Sequence, residues 1–204
     1  MKFAIIGATG NVGRKTIDVL EKSKLDIEQL YLVASKNSSG KKIKFKGEDQ
    51  TVIALENYYF EKADITFFAA GSSISEKYAK NASKKTIVID NSKFFRMDKD
   101  VPLIVPEVNS EDIKKHKNII ANPNCSTIQM VLALNPLHKS FNIKRVVVST
   151  YQAVSGAGKA AMDELVSQTK DFLDKKKVKS KNFTKQIAFN LIPHIDVFVE
   201  DGYT

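Results

Sequence analysis

The chain has 204 residues, 43% hydrophobic and 27% charged, and 32 Lys and Arg against 23 Asp and Glu give a formal net charge of +9. That length can bury one large core or two small ones, and the composition is ordinary for a globular protein. The single cysteine, Cys125, excludes an internal disulfide and suits a reducing cytoplasm. No apolar run reaches the ~20 residues of a membrane span, and Met1-Lys2-Phe3 leads straight into a glycine motif, so neither a leader peptide nor a membrane partner is expected. The positive charge suits small anions such as nucleotides and phosphate. Its lysines are scattered, and the one dense cluster, at 175–181, reads as a solvated loop, so nucleic acid is not expected as a partner and neither is a metal.

Lys2-Phe3-Ala4-Ile5-Ile6 reads as a strand that ends at Gly7-Ala8-Thr9-Gly10-Asn11-Val12-Gly13. The helix after it is expected to set Val12, Thr16, Val19 and Leu20 on one side and Arg14, Lys15 and Asp18 on the other. Strand, glycine turn and helix open a dinucleotide-binding βαβ unit. Gly7 allows the tight turn, Gly10 the approach of a pyrophosphate and Gly13 the close packing of helix on strand, with the helix N-terminus facing the anion. The second strand, 30–35, runs into Ser35-Lys36-Asn37-Ser38. A site built for the ribose hydroxyls of NAD carries a carboxylate there; hydroxyls and lysines suit a 2′-phosphate, so the expected cofactor is NADP.

Further strands are expected at 51–55, at 64–70 and at 86–90, with a helix over 74–82 after Gly71-Ser72-Ser73. Arg96, beyond the strand ending at Asp90, is a candidate anion clamp, because a guanidinium grips phosphate or carboxylate through two bonds. Residues 101–109 read as extended and proline-punctuated, and 118–121 as a short strand. Asn122-Pro123-Asn124-Cys125-Ser126-Thr127 follows and opens a helix. A thiol in that first turn sits among unpaired N–H groups, which favour the attacking thiolate. Beyond the helix, 143–152 is strongly β-prone and starts a second domain, a helix carries Ala161, Leu165, Thr169 and Phe172, and 187–196 is extended again. The fold class is α/β: a Rossmann-type dinucleotide-binding domain over 1–125, then an α+β domain over 126–204.

Residues 7–13, Phe68-Ala69-Ala70-Gly71-Ser72-Ser73, Asp90-Asn91-Ser92, Phe95-Arg96-Met97, 101–109, 122–127, 149–158 and 189–196 together resemble the aspartate-semialdehyde dehydrogenase family. The resemblance implies reductive dephosphorylation of L-aspartyl 4-phosphate by NADPH, in the biosynthesis of lysine (through diaminopimelate), threonine and methionine. It makes Cys125 the nucleophile that forms a thioester, and Gln152 the residue that orients substrate or thioester. Arg96, with Asn91, holds the phosphate. Thr9, Gly10, Asn11, Val12, Asn37 and Ser38 contact the cofactor, as do Ser155 and Gly156 near the nicotinamide. A homodimer is implied. Asn37 stands where the family usually has arginine, with Lys36 the nearest replacement. The family's substrate-binding arginine and its acid/base histidine fall beyond Thr204, and His116, His138 and His194 lie outside its motifs. The second domain is therefore expected to be incomplete, and the isolated chain to bind cofactor weakly without turnover. Two alternatives are an inactive remnant that at most binds nucleotide, and a relative of N-acetyl-glutamyl-phosphate reductase, whose sequence around its cysteine differs.

Overall fold

Lys2–Ile6 (β1) is buried from Phe3 onward, with Ala4 and Ile6 in one core and Phe3 and Ile5 in another. An apolar run without alternation is what a parallel strand covered on both faces requires. A computed structural model describes residues 1–195, 198 and 200–202, and they fall into two units, Met1–Val147 and Val148–Thr204.

In the first unit β1 is followed by α1 (Asn11–Lys22), β2 (Gln29–Ala34), a hairpin of β3 (Lys42–Phe45) and β4 (Glu48–Thr51), β5 (Ile53–Ala54) and β6 (Ile65–Phe68). Then come α2 (Ser72–Ala82), β7 (Ile87–Asp90), α3 (Pro106–Asn109), β8 (Ile119–Ala121) and α4 (Cys125–Phe141). Six strands form one parallel sheet in the order β5-β2-β1-β6-β7-β8. That is the doubly wound order, with the direction of winding reversing between β1 and β6.

Four local expectations are corrected. Helix α1 buries Gly13, Ile17 and Leu20, while Val12 and Val19 are exposed. Two apolar stripes compete on this helix, and the close seat of Gly13 on the first turn selects the other one. The run 51–55 serves two sheets: Thr51 ends the hairpin, and Ile53–Ala54 joins β2. Residues 102–104 are extended beside Ala121, but Pro106 at the first helical position starts α3. Residues 143–152 form no strand, and Val146, Val147 and Val148 are exposed. Strand preference is expressed against a paired neighbour, and among the described residues this run has none.

In the second unit α5 (Lys159–Leu173) buries Ala161, Glu164 and Gln168, and leaves the expected Phe172 half exposed. Two polar residues one turn apart hold the following loop. Glu164 accepts from the N–H groups of Lys181 (2.9 Å) and Asn182 (2.6 Å), and Gln168 Oε1 from those of Ile187 (2.8 Å) and Ala188 (3.2 Å). These bonds, with Phe189 at φ 56°, make 187–190 a turn instead of an extended run; the end of that expected run, Asp196, lies outside the described residues. Burial opposes ionisation of Glu164, but the Lys181 and Asn182 backbone donors and the Asn182 amide outweigh it and hold the carboxyl below its ordinary 4.5. A depressed acid stabilises above its unfolded value and loses that contribution as pH falls through the folded one. Hydrogen-exchange protection of the Lys181 and Asn182 amides is therefore expected to be flat above about pH 5 and to fall below it, and Glu164→Gln to flatten that profile. Unchanged protection in wild type at acid pH would remove the carboxylate from the account of this loop.

Candidate active site

The turn after β1 is locked to its neighbours from both sides. Gly7 N–H (2.8 Å) and Ala8 N–H (3.0 Å) both donate to the Val33 carbonyl of β2. On the β6 side, a Cβ at Gly7 would stand 2.6 Å from the Ala69 carbonyl oxygen, and Gly7 has φ +92°. Only glycine meets both demands. A Cβ at Gly13 would stand 2.2 Å from the Gly7 carbonyl oxygen, so α1 rests directly on the turn. Gly10 caps α1 without a side chain, which leaves the helix N-terminus and its macrodipole facing the crevice.

The other rim is Ser38, which closes the short helix Lys36–Ser38; Thr9 Oγ1 donates to Ser38 Oγ at 3.4 Å. Lys36 and Asn37 are exposed beside it, with no carboxylate at the end of β2. Lys42 belongs to β3 and lies 3.7 Å from Asp49, as a surface charge does. The glycine cradle is one that side chains at 7 or 13 would fill, so these residues fit a dinucleotide pyrophosphate, with Ser38 and Lys36 at its ribose end. Gly13→Ala is expected to cost about 1–3 kcal/mol by overpacking, read from urea unfolding, and to weaken dinucleotide binding. An unchanged midpoint would contradict the seat drawn for α1.

On the far side of the same sheet edge a polar cluster forms around β7 and β8. Asp90, fully buried, accepts from Ser75 Oγ of α2 (2.6 Å), Ser92 Oγ (2.7 Å) and Ser92 N–H (3.2 Å). These bonds satisfy a carboxylate that burial would otherwise penalise. Next to it, Asn122 Nδ2 donates to Asn91 Oδ1 (2.8 Å). Arg96 donates from Nε to the Asn122 carbonyl (3.0 Å) and from Nη2 to the Asn91 carbonyl (3.1 Å). A guanidinium carries five donors, so Arg96 is anchored by two and keeps capacity for an anion.

Cys125 is exposed at the first position of α4. Asn124 caps the helix, its Oδ1 accepting from Ser126 N–H (3.0 Å) and Thr127 N–H (3.4 Å). The expectation of unpaired first-turn donors around the thiol is corrected in part here: the Asn124 cap takes two of them. The first unit thus brings together Gly7, Thr9, Gly10, Asn11, Val12, Gly13, Asn37 and Ser38 at one end of the edge. At the other end Asn91 and Arg96 meet through Asn122, and Cys125 follows three residues further along the same segment. Gln152, Ser155 and Gly156 belong to the second unit, where Gln152 donates to Thr150 Oγ1 at 3.2 Å and Ser155 and Gly156 lie in the short helix Val154–Ala157. Sequence reasoning missed Asn122, Asp90 and Ser75 as partners in one cluster. The only signal was a run of small polar residues at the ends of apolar strands.

The strand order, with a glycine cradle where its winding reverses, defines a Rossmann-type dinucleotide-binding protein. The family model described as semialdehyde dehydrogenase, NAD binding domain, matches residues 2–116, and that of the semialdehyde dehydrogenase dimerisation domain matches 134–204. The chain belongs to the semialdehyde dehydrogenase family. It is 55% identical over 208 residues to the aspartate-semialdehyde dehydrogenase of Aquifex aeolicus, covering 100% of this chain and 61% of that protein. Among solved structures, aspartate semialdehyde dehydrogenase II of Vibrio cholerae, complexed with ASA, superposes with a TM-score of 0.97 at 46% identity, over 100% of this chain and 61% of that one. The Candida albicans aspartate semialdehyde dehydrogenase with NADP gives a TM-score of 0.60 at 30% identity, over 70% of this chain and 48% of that one. The chain therefore spans about three-fifths of the length of the relatives it matches.

Proposed function

We infer that this chain carries the nucleotide site and the nucleophile of an NADPH-dependent aspartate-semialdehyde dehydrogenase. The reaction is reductive dephosphorylation of L-aspartyl 4-phosphate to L-aspartate 4-semialdehyde, a step of amino-acid biosynthesis. The observation that carries the reading is the position of Cys125: an exposed thiol at a helix start, three residues beyond the carbonyl that anchors Arg96. A nucleophile and an anion clamp fixed to one loop are what acyl transfer from an acyl phosphate needs.

In this reading the Cys125 sulfur attacks the acyl carbon, the S–C bond forms, the C–O bond to phosphorus breaks, and inorganic phosphate leaves against Arg96 and Asn91. The product is a thioester on Cys125. NADPH, when bound, supplies the hydride that reduces it. Gly7, Thr9, Gly10, Asn11, Val12 and Gly13 hold the pyrophosphate, while Ser38, Asn37 and Lys36 meet the 2′-phosphate. Gln152 orients the acyl group, and Ser155 and Gly156 contact the nicotinamide end. Residues 1–125 do the nucleotide work, and 126–204 contribute to substrate binding and to a homodimer. A cytoplasmic setting suits the free thiol; among the described residues no helix is long and apolar enough to cross a membrane.

Fluorescence titration of the chain with the two reduced cofactors at one ionic strength tests the cofactor half of this reading. NADPH is expected to bind about tenfold tighter than NADH, one charge-assisted contact to the 2′-phosphate being enough for that ratio. Lys36→Glu, which restores a carboxylate near the end of β2, is expected to abolish or reverse the preference. Equal or tighter binding of NADH by wild type would overturn the NADP assignment, and binding of neither would overturn the functional reading.

A further inference from the structure

We propose that Asn122 is a positioning residue that couples the anion clamp to the nucleophile. The inference rests on the reading in which Arg96 takes the phosphate and Cys125 the acyl group, and it assigns the part that joins them.

Asn122 is held at three points. Its N–H donates to the Asp90 carbonyl (2.8 Å), extending the β7–β8 ladder by one residue. Its side-chain amide donates to Asn91 Oδ1 (2.8 Å), and its carbonyl accepts from Arg96 Nε (3.0 Å). Arg96 closes the ring by donating from Nη2 to the Asn91 carbonyl (3.1 Å). Asn91, Arg96 and Asn122 thus each bond to the other two. The ring fixes the guanidinium plane through two backbone acceptors.

The next residue transmits that constraint. Pro123 is buried, and a proline restricts the residue before it to extended conformations. The Asn122 carbonyl therefore cannot swing away from Arg96 without moving the peptide that leads to Asn124 and Cys125. Asn124, as the cap of α4, fixes the start of the helix that bears the thiol. Displacing the Asn122 side chain from Asn91 frees this peptide to rotate, and clamp and sulfur lose register together. Aspartate could not donate to Asn91 Oδ1, and shorter side chains fall short of it, so the requirement is for the amide.

The test uses the intact chain and inorganic phosphate as probe, and reads the alkylation rate of Cys125, its only thiol, by iodoacetamide. In wild type, phosphate is expected to slow alkylation, and Arg96→Lys to abolish most of that protection. Asn122→Ala, with Asn122→Ser as a second variant that keeps polarity but not reach, is expected to raise the half-protecting phosphate concentration about tenfold, the range of coupling between directly bonded residues. Thermal midpoint and NADPH affinity are expected to stay near wild type. In the Asn122→Ala/Arg96→Lys pair the two losses are expected not to add, because one acts through the other. Wild-type phosphate protection in both Asn122 variants would overturn the positioning role and leave the Arg96–Cys125 reading standing. Joint loss of phosphate and NADPH binding in both variants would make the residue merely structural and overturn it too. Absence of phosphate protection in wild type would overturn the proposal together with the reading beneath it.

Discussion

Parallel pairing in one register is the constraint on which the candidate site depends. Ile6 is paired with Phe68, Phe68 with Asp90, and Asp90 with Ala121, so these four strands end in line. The next residue of each continues the ladder: Ala69 N–H donates to Ile6 O, Asn91 to Phe68 O and Asn122 to Asp90 O. Gly7, Ala69, Asn91 and Asn122 therefore stand in one row across the carboxyl edge of the sheet. At one end of the row two backbones approach so closely that position 7 must be glycine. At the other, two asparagines on adjacent strands are near enough to bond through their side chains.

One row of residues thus separates and aligns two tasks. Neighbouring strands lie about 4.8 Å apart, so the row from Gly7 to Asn122 spans three such steps. The β1 end presents a helix N-terminus and glycine amides; the β7–β8 end presents a guanidinium, and the segment after it opens the helix that carries the thiol. Asp90 lies beneath this second end, its carboxylate tying α2 through Ser75 to the loop through Ser92. A buried acid held by three hydrogen bonds fixes geometry well. The Asn91–Arg96–Asn122 cluster is therefore tied to the sheet even though Arg96 itself lies in a loop.

Much of this was legible in the sequence. The glycine spacing gave the turn, and six expected runs lay where strands form. What the residues could not disclose was which of several allowed partners each one takes. Helix α1 carries two apolar stripes, and only the contact between Gly13 and the Gly7 carbonyl selects one. Thr51 and Ile53, adjacent in one β-prone run, belong to different sheets. Glu164 and Gln168 lie outside the expected stripe of α5, and they are buried because the loop after α5 folds its N–H groups onto them. The Asn91–Asn122 bond depends on the register of β7 against β8, which no local pattern encodes. Residues 143–152 show the reverse case, strong propensity without a ladder, because pairing and not propensity makes a strand.

Acylation of Cys125 tests the central claim most directly, since it asks the thiol and its clamp to act on the acyl phosphate itself. The chain is incubated with L-aspartyl 4-phosphate without cofactor and followed by intact-mass measurement and phosphate release. One aspartyl adduct per chain, mapped to Cys125, labile to hydroxylamine and matched by one phosphate, is the predicted result, with Cys125→Ser giving neither. Phosphate release without an adduct, or an adduct that persists in Cys125→Ser, would contradict it.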